Sequence, residues 1–131
     1  VVKSFGEKIT DFSLNDLGYK QQVELFNMVC DRNGSPPPVI DADDLCAYPK
    51  IILLNLCIKL GIDYSGKMLS WNIGPHPYDG VWGSYWYKAV NKSSGFKIPK
   101  PVLGKPSCIQ KRLIEEADPY FQYLNKYKIF P

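Results

Sequence analysis

With 131 residues, 45% of them hydrophobic and 22% charged, the chain has the make-up of one folded domain and not of a disordered or fibrous segment. Its formal net charge of +3 admits an anionic ligand but is too small to indicate nucleic acid, and no nucleic-acid partner is expected. No apolar run reaches the roughly 18 residues that a membrane span needs; the longest candidate, 51–60, is interrupted by Asn55 and Lys59.

Residues 1–11 mix apolar and charged positions around Gly6, a pattern that suits a loop or a short strand. Ser13-Leu14-Asn15-Asp16 has the form of a capping box with Asp in the acidic position. Leu14, Leu17, Val23, Leu25, Phe26 and Val29 then recur at roughly helical spacing. They predict a helix that ends near Arg32, ahead of Gly34-Ser35-Pro36-Pro37-Pro38. Gly18 weakens its first turns by about 1 kcal/mol relative to Ala. Val39-Ile40 suits a short buried edge strand. Asp41, Asp43 and Asp44 read as a solvated turn, with Asp43 or Asp44 capping the element after it. A metal or general-base site there would need ligands from other elements as well, and no metal is expected.

Pro49 opens a second helix over 49–60, where proline suits the first turn. Ile51, Ile52, Leu54, Leu56 and Ile58 are apolar nearly all round, which predicts a largely buried helix. Gly61 is a natural residue to close it, and a short helical turn is expected over 65–69. Residues 61–67 also match G-x-x-x-x-G-K, but Met68 stands where the phosphate-binding loop carries Ser or Thr. The stretch also comes after a helix instead of a buried strand, so it is not read as a nucleotide loop.

The segment 70–96 holds Trp71, Trp82 and Trp86, which are all three tryptophans, and the only histidine, His76. Gly74, Pro75, Pro77 and Gly80 make its first part a rigid loop. Asp79 suits the N-cap of an aromatic helix over 81–91. Trp82 and Trp86 read as core in preference to an aromatic cage or a base-stacking platform. His76 reads as a loop histidine with a satisfied hydrogen bond. Lys92-Ser93-Ser94-Gly95 closes the helix, and a glycine after a basic residue fits a helix C-terminus. The same four residues offer hydroxyls, backbone N–H groups and a positive charge, which is what an anion needs. Lys88 lies four residues before Lys92 and would share its helical face. Lys88, Lys92, Ser93, Ser94 and Gly95 are therefore the candidate binding residues; no catalytic residue is assigned.

Beyond Phe96, residues 97–106 form a proline-rich extended connector. A helical tail comes next over 107–128, rich in aromatics, with Pro119 expected to kink or split it. Cys30, Cys46, Cys57 and Cys108 form no C-x-x-C pair, and one histidine cannot complete a common zinc pattern. They read as reduced structural thiols in an intracellular compartment. The chain starts with Val and shows no signal-peptide pattern, which suggests a removed leader or part of a longer polypeptide.

The central segment resembles the C-terminal half of the P-loop sulfotransferase superfamily. The matching residues are Met68-Leu69-Ser70-Trp71, Gly74-Pro75-His76-Pro77, Asp79-Gly80, Trp82, Trp86-Tyr87, Val90 and Ser93-Ser94-Gly95-Phe96. Upstream, Leu17-Gly18-Tyr19 with Gln21-Gln22 and the acidic turn from Asp41 to Leu45 are similar as well, so that the resemblance covers 14–96. His76 stands in place of the usual Arg, and Tyr78 in place of a frequent acid. The resemblance implies sulfuryl transfer from 3′-phosphoadenosine 5′-phosphosulfate (PAPS) to a hydroxyl or amine. It places Lys92, Ser93, Ser94 and Gly95 near the 3′-phosphate of PAPS or of its product PAP. The half that would carry the first strand, the 5′-phosphosulfate loop and the catalytic base is absent from these residues. The fold expected is therefore mainly α with one or two short strands, corresponding to the C-terminal part of the α/β fold. Residues 1–96 form a sulfotransferase-like region, and 97–131 the connector and aromatic helix. Two readings remain: part of an enzyme that needs a P-loop half, or an inactive, sulfotransferase-derived accessory subunit of a larger assembly.

Overall fold

The periodic apolar positions resolve into helices. In the computed structural model, which describes residues 1–98 and 104–131, extended pairing is confined to two isolated bridges: Val39 with Lys128, parallel, and Ser70 with Gly95, antiparallel. The fold is mainly α, as expected. The chain divides into two compact units. One comprises Val1–Val39 with the described residues of 104–128; the other comprises the described residues of 40–98 with Ile129–Pro131.

In the first unit, α1 (Val2–Gly6) replaces the loop or strand expected at the N-terminus. Val2 and Phe5 are three residues apart and share one helical face. Val2 is buried with Leu17 and Leu113, and Phe5, Phe12, Leu14 and Tyr19 pack around them. The Ser13 box forms as expected: the Ser13 N–H and hydroxyl both donate to Asp16 Oδ2, at 2.8 and 2.7 Å. It starts only a 3-10 turn, Leu14–Leu17. Gly18, at φ +74°, breaks the backbone before α2 (Tyr19–Asn33), so the single helix expected from Ser13 is two elements.

The tail helix, α6 (Cys108–Asn125), begins at a reciprocal cap between Ser107 and Gln110. It continues through Pro119 and is not split. The carbonyl that Pro119 leaves without a donor belongs to the exposed residue Glu115, where water can satisfy it. Helices α2 and α6 pack on each other through Phe26, whose ring lies 6.0 Å from Tyr123 and 4.7 Å from Tyr127. The Tyr123 hydroxyl donates to Asn27 Oδ1 at 2.8 Å. The connector expected over 97–106 falls in part outside the described residues.

In the second unit Asp41, not Asp43 or Asp44, caps α3 (Ala42–Ala47), its Oδ1 accepting from both of their N–H groups at 3.0 Å. Helix α4 (Pro49–Leu60) has the expected bounds, with Pro49 in its first turn. It ends in the paired bonds from Gly61 N to Ile58 O and from Ile62 N to Cys57 O. Residues 61–67 thus close a helix and then open the 3-10 turn Gly66–Leu69, capped by Ser65 Oγ. This is not the strand-to-helix setting of a phosphate loop. The burial expected of α4 is not met. Ile52 and Cys57 are buried, but Ile51, Leu54, Ile58 and Leu60 are exposed; among the described elements α3 and the 66–69 turn are the main ones packed against the helix. Among the described residues no helix is long and apolar enough to cross a membrane.

This packing sets the cost of truncating α4. Ile52, at 0% exposure, should cost about 2–5 kcal/mol on substitution by Ala. Ile58→Ala, at 68% exposure, should stay within about 0.5 kcal/mol, both read from urea midpoints. The hydroxyl and N–H of Ser13 hold the Asp16 carboxyl below its ordinary value of 3.8. A lowered folded-state pKa means that the unfolded chain takes the proton first. The contribution is therefore complete only well above 3.8 and is lost as pH falls through the lower folded value. Asp16→Asn should lower stability at neutral pH, and its difference from wild type should shrink in urea titrations carried below about pH 3.

Candidate anion site

The site is built where two segments far apart in sequence are joined. Ser70, extended after the 66–69 turn, pairs antiparallel with Gly95. A Cβ on Gly95 would stand 3.1 Å from Leu69 O, so glycine permits this approach. Trp71 then makes two bonds across the gap. Its backbone N–H donates to Ser94 O at 3.2 Å, and its indole Nε1–H donates to Ser93 Oγ at 3.1 Å. The indole also meets Phe96 edge-on at 5.3 Å. Further along, Gly74 N–H donates to Asn91 O at 2.9 Å. The segment 70–74 is thereby stitched to 91–95.

These bonds sort the candidate residues. The Ser93 hydroxyl donates to Val90 O at 2.7 Å while accepting from the indole, so its hydrogen is directed into the loop. The side chains of Lys88, Lys92 and Ser94 are exposed and have no partner among the described residues. Contrary to the expectation from their spacing, Lys88 and Lys92 do not share one regular helix. Helix α5 is only Gly83–Trp86, and a separate 3-10 turn, Val90–Lys92, comes after residues in turns. Chemically, the loop presents an ammonium and a hydroxyl beside a glycine backbone, a set suited to a phosphate or sulfate oxygen.

The expected aromatic helix over 81–91 is shortened because its cap is engaged elsewhere. Asp79 Oδ2 accepts from His76 N–H at 2.9 Å, and Asp79 N–H donates to His76 O at 2.9 Å. The carboxylate therefore closes the 76–79 turn and does not cap the residues after it. Trp82 is 68% exposed and is not core; Trp86 is half-buried. His76 is satisfied as expected, its Nδ1 accepting from Tyr78 N–H at 3.3 Å. A cleft of about 740 Å³ runs beside the loop, lined by Trp71, Ile73, Pro75, His76, Val90 and Asn91 among others. Among the described residues no group of three or more His, Cys, Asp or Glu is placed to hold a metal.

Trp71 and Asn91 support the candidate loop through hydrogen bonds that the sequence does not single out. Trp71 lies within the family-like motif, but nothing local marks a partner 22 residues away. The Asp79 turn packs against the buried Gly83, where a Cβ would stand 2.8 Å from Asp79 Cβ. Gly83→Ala should therefore cost about 1–3 kcal/mol by urea denaturation. Gly66→Ala, where an added Cβ meets nothing within 4 Å, should be close to neutral.

Comparison with known proteins bears on what this arrangement belongs to. The family described as Sulfotransferase domain matches residues 1–127, well beyond the 14–96 that the motif resemblance covers. Branched-chain-amino-acid aminotransferase-like protein 1 of Arabidopsis thaliana is 37% identical over 127 residues, 97% of this chain and 22% of its own length. Branched-chain-amino-acid aminotransferase-like protein 2 of the same organism is 36% identical over 124 residues, 95% of this chain and 22% of its own length. The chain thus spans 22% of the length of these curated relatives. No solved structure matches it. With the family matched from residue 1 to residue 127, the stitched 70–96 segment included, the chain belongs to the sulfotransferase-domain family.

Proposed function

We propose that this chain is the C-terminal portion of a sulfotransferase and that its 92–95 loop holds the 3′-phosphate of PAPS or PAP. The observation that carries the reading is the division of roles in the loop. The Ser93 hydroxyl is turned inward, while the Lys92 ammonium and the Ser94 hydroxyl face outward without a protein partner among the described residues. Lys92 supplies charge, Ser94 a hydrogen bond, and Gly95 close approach of the backbone. Lys88 adds positive potential from the preceding turn.

When bound, PAPS supplies the sulfuryl group that passes to a hydroxyl or amine acceptor. The residues of this loop bind and orient the nucleotide and do not touch the transferred group. Transfer also needs a cradle of backbone N–H groups for the 5′-phosphosulfate. By the family resemblance that cradle lies in a P-loop half, supplied by the longer polypeptide or by a partner chain. The exposed apolar positions of α4 favour such a neighbour, because a helix apolar nearly all round is ordinarily covered. A second reading is a sulfotransferase-derived module that no longer transfers sulfuryl groups and serves as an accessory part of a larger assembly. Both Arabidopsis relatives are named aminotransferase-like, and neither name states sulfuryl transfer.

Calorimetric titration of the full-length protein with PAP and with adenosine 5′-phosphate separates these readings. Lys92→Ala should weaken PAP by about tenfold or more, and Ser94→Ala by about threefold to tenfold, as for hydrogen bonds involving a charged phosphate. Binding of adenosine 5′-phosphate should be unchanged in both. If the wild-type protein binds neither nucleotide, the enzyme reading fails and the accessory reading stands.

A further inference from the structure

We infer that Trp71 is the positioning residue of this anion loop, acting through Ser93. The inference rests on the 3′-phosphate reading given above but assigns a residue and a route that the reading does not need. Three contacts carry it: the indole Nε1–H to Ser93 Oγ at 3.1 Å, the backbone N–H to Ser94 O at 3.2 Å, and the edge-on contact with Phe96 at 5.3 Å. They grip three of the four residues 93–96 from a segment on the other side of the chain crossing.

The hydrogen-bond inventory explains why an indole suits this place. Indole Nε1–H is a donor with no acceptor capacity, so its partner must accept. A serine hydroxyl that accepts from the indole keeps its one hydrogen for another acceptor, and here that is Val90 O at 2.7 Å. The Ser93 rotor is thus fixed from both sides and cannot turn toward a ligand. Ser94 is instead held through its carbonyl, which accepts from Trp71 N–H, and its side chain is exposed. The consecutive serines therefore divide the work, Ser93 anchoring and Ser94 binding. Trp71 is also among the residues that line the 740 Å³ cleft beside the loop, so the residue that sets the loop adjoins that cleft.

The test compares affinities for PAP and adenosine 5′-phosphate in the full-length protein, by calorimetry. Their ratio isolates the 3′-phosphate and is not moved by a smaller folded fraction, which lowers both apparent affinities alike. Trp71→Phe keeps a ring against Phe96 and removes only the indole donor. The ratio should fall about tenfold in Trp71→Phe and in Ser93→Ala, and the double variant should fall no further. Ser93→Thr, which keeps the hydroxyl, should restore it. An unchanged ratio in Trp71→Phe overturns the inference. So does a loss in Trp71→Phe that Ser93→Ala fails to reproduce, since the indole would then act on the ligand directly. A wild-type protein that does not distinguish the two nucleotides overturns the 3′-phosphate reading itself and this inference with it, a result recognisable before any variant is made.

Discussion

The joining of residues 70–74 to 91–95 is the constraint on which the candidate site depends. Local backbone bonds reach only the first half of 92–95: Lys92 ends the 3-10 turn, and the N–H groups of Lys92 and Ser93 donate to Ala89 O and Val90 O, while Ser94 and Gly95 lie beyond it. Left alone, such a segment would sample many conformations, and fixing it costs about 1–2 kcal/mol of entropy per residue. The bonds from Trp71 and Gly74, with the pairing of Ser70 and Gly95, offset that cost across one short crossing. Each contributes only about 1 kcal/mol net. Their effect comes from acting on the same few residues, so that order at Ser93 favours order at Ser94 and Gly95.

Helices α4 and α6 show how differently the chain treats apolar surface. Helix α6 is amphipathic, and its buried positions, Leu113 and Ala117, are four apart and share one face. Helix α4 is apolar nearly all round, yet only Ile52 and Cys57 are buried within its own unit. A helix with apolar residues on every face has no preferred orientation toward water, which is a setting found in the interior of a larger fold. The curated relatives are much longer than this chain, which spans 22% of their length. The composition of α4 therefore agrees with membership in a family whose complete fold is an α/β one.

Local chemistry is legible in the sequence where a residue acts on its immediate neighbours. Pro49 and Gly61 bound α4 correctly, and Ser13 with Asp16 forms the expected box. The mainly helical class follows from the family resemblance once the strand-bearing half is absent, and the observed helices agree with it. The errors arise where a local signal meets a stronger competitor. Asp79 has the right position to cap a helix, but its carboxylate is taken by the N–H of His76 three residues earlier. Gly18 has a cost that a propensity scale expresses as a weakened helix, whereas the backbone takes a left-handed conformation there and ends one element. Helix α1 is too short for periodicity to show. It exists because Val2 meets Leu17 and Leu113, partners that no local window contains.

The same limit applies within the proposed binding loop, where residue type alone makes Lys92, Ser93, Ser94 and Gly95 equal candidates. A serine can donate, accept or do both, and its neighbours decide which. Once Trp71 donates to Ser93, that hydroxyl's hydrogen must go elsewhere, and Val90 O takes it. Ser94 then holds its place through its carbonyl, which leaves its hydroxyl available. Anchoring and binding need the same residue types, so a Ser-Ser-Gly sequence cannot reveal which serine does which. The distinction enters with a tryptophan 22 residues upstream of Ser93. It enters through the direction of one hydrogen bond: an indole that can only donate makes the serine it meets part of the scaffold and leaves the hydroxyl of the next one exposed.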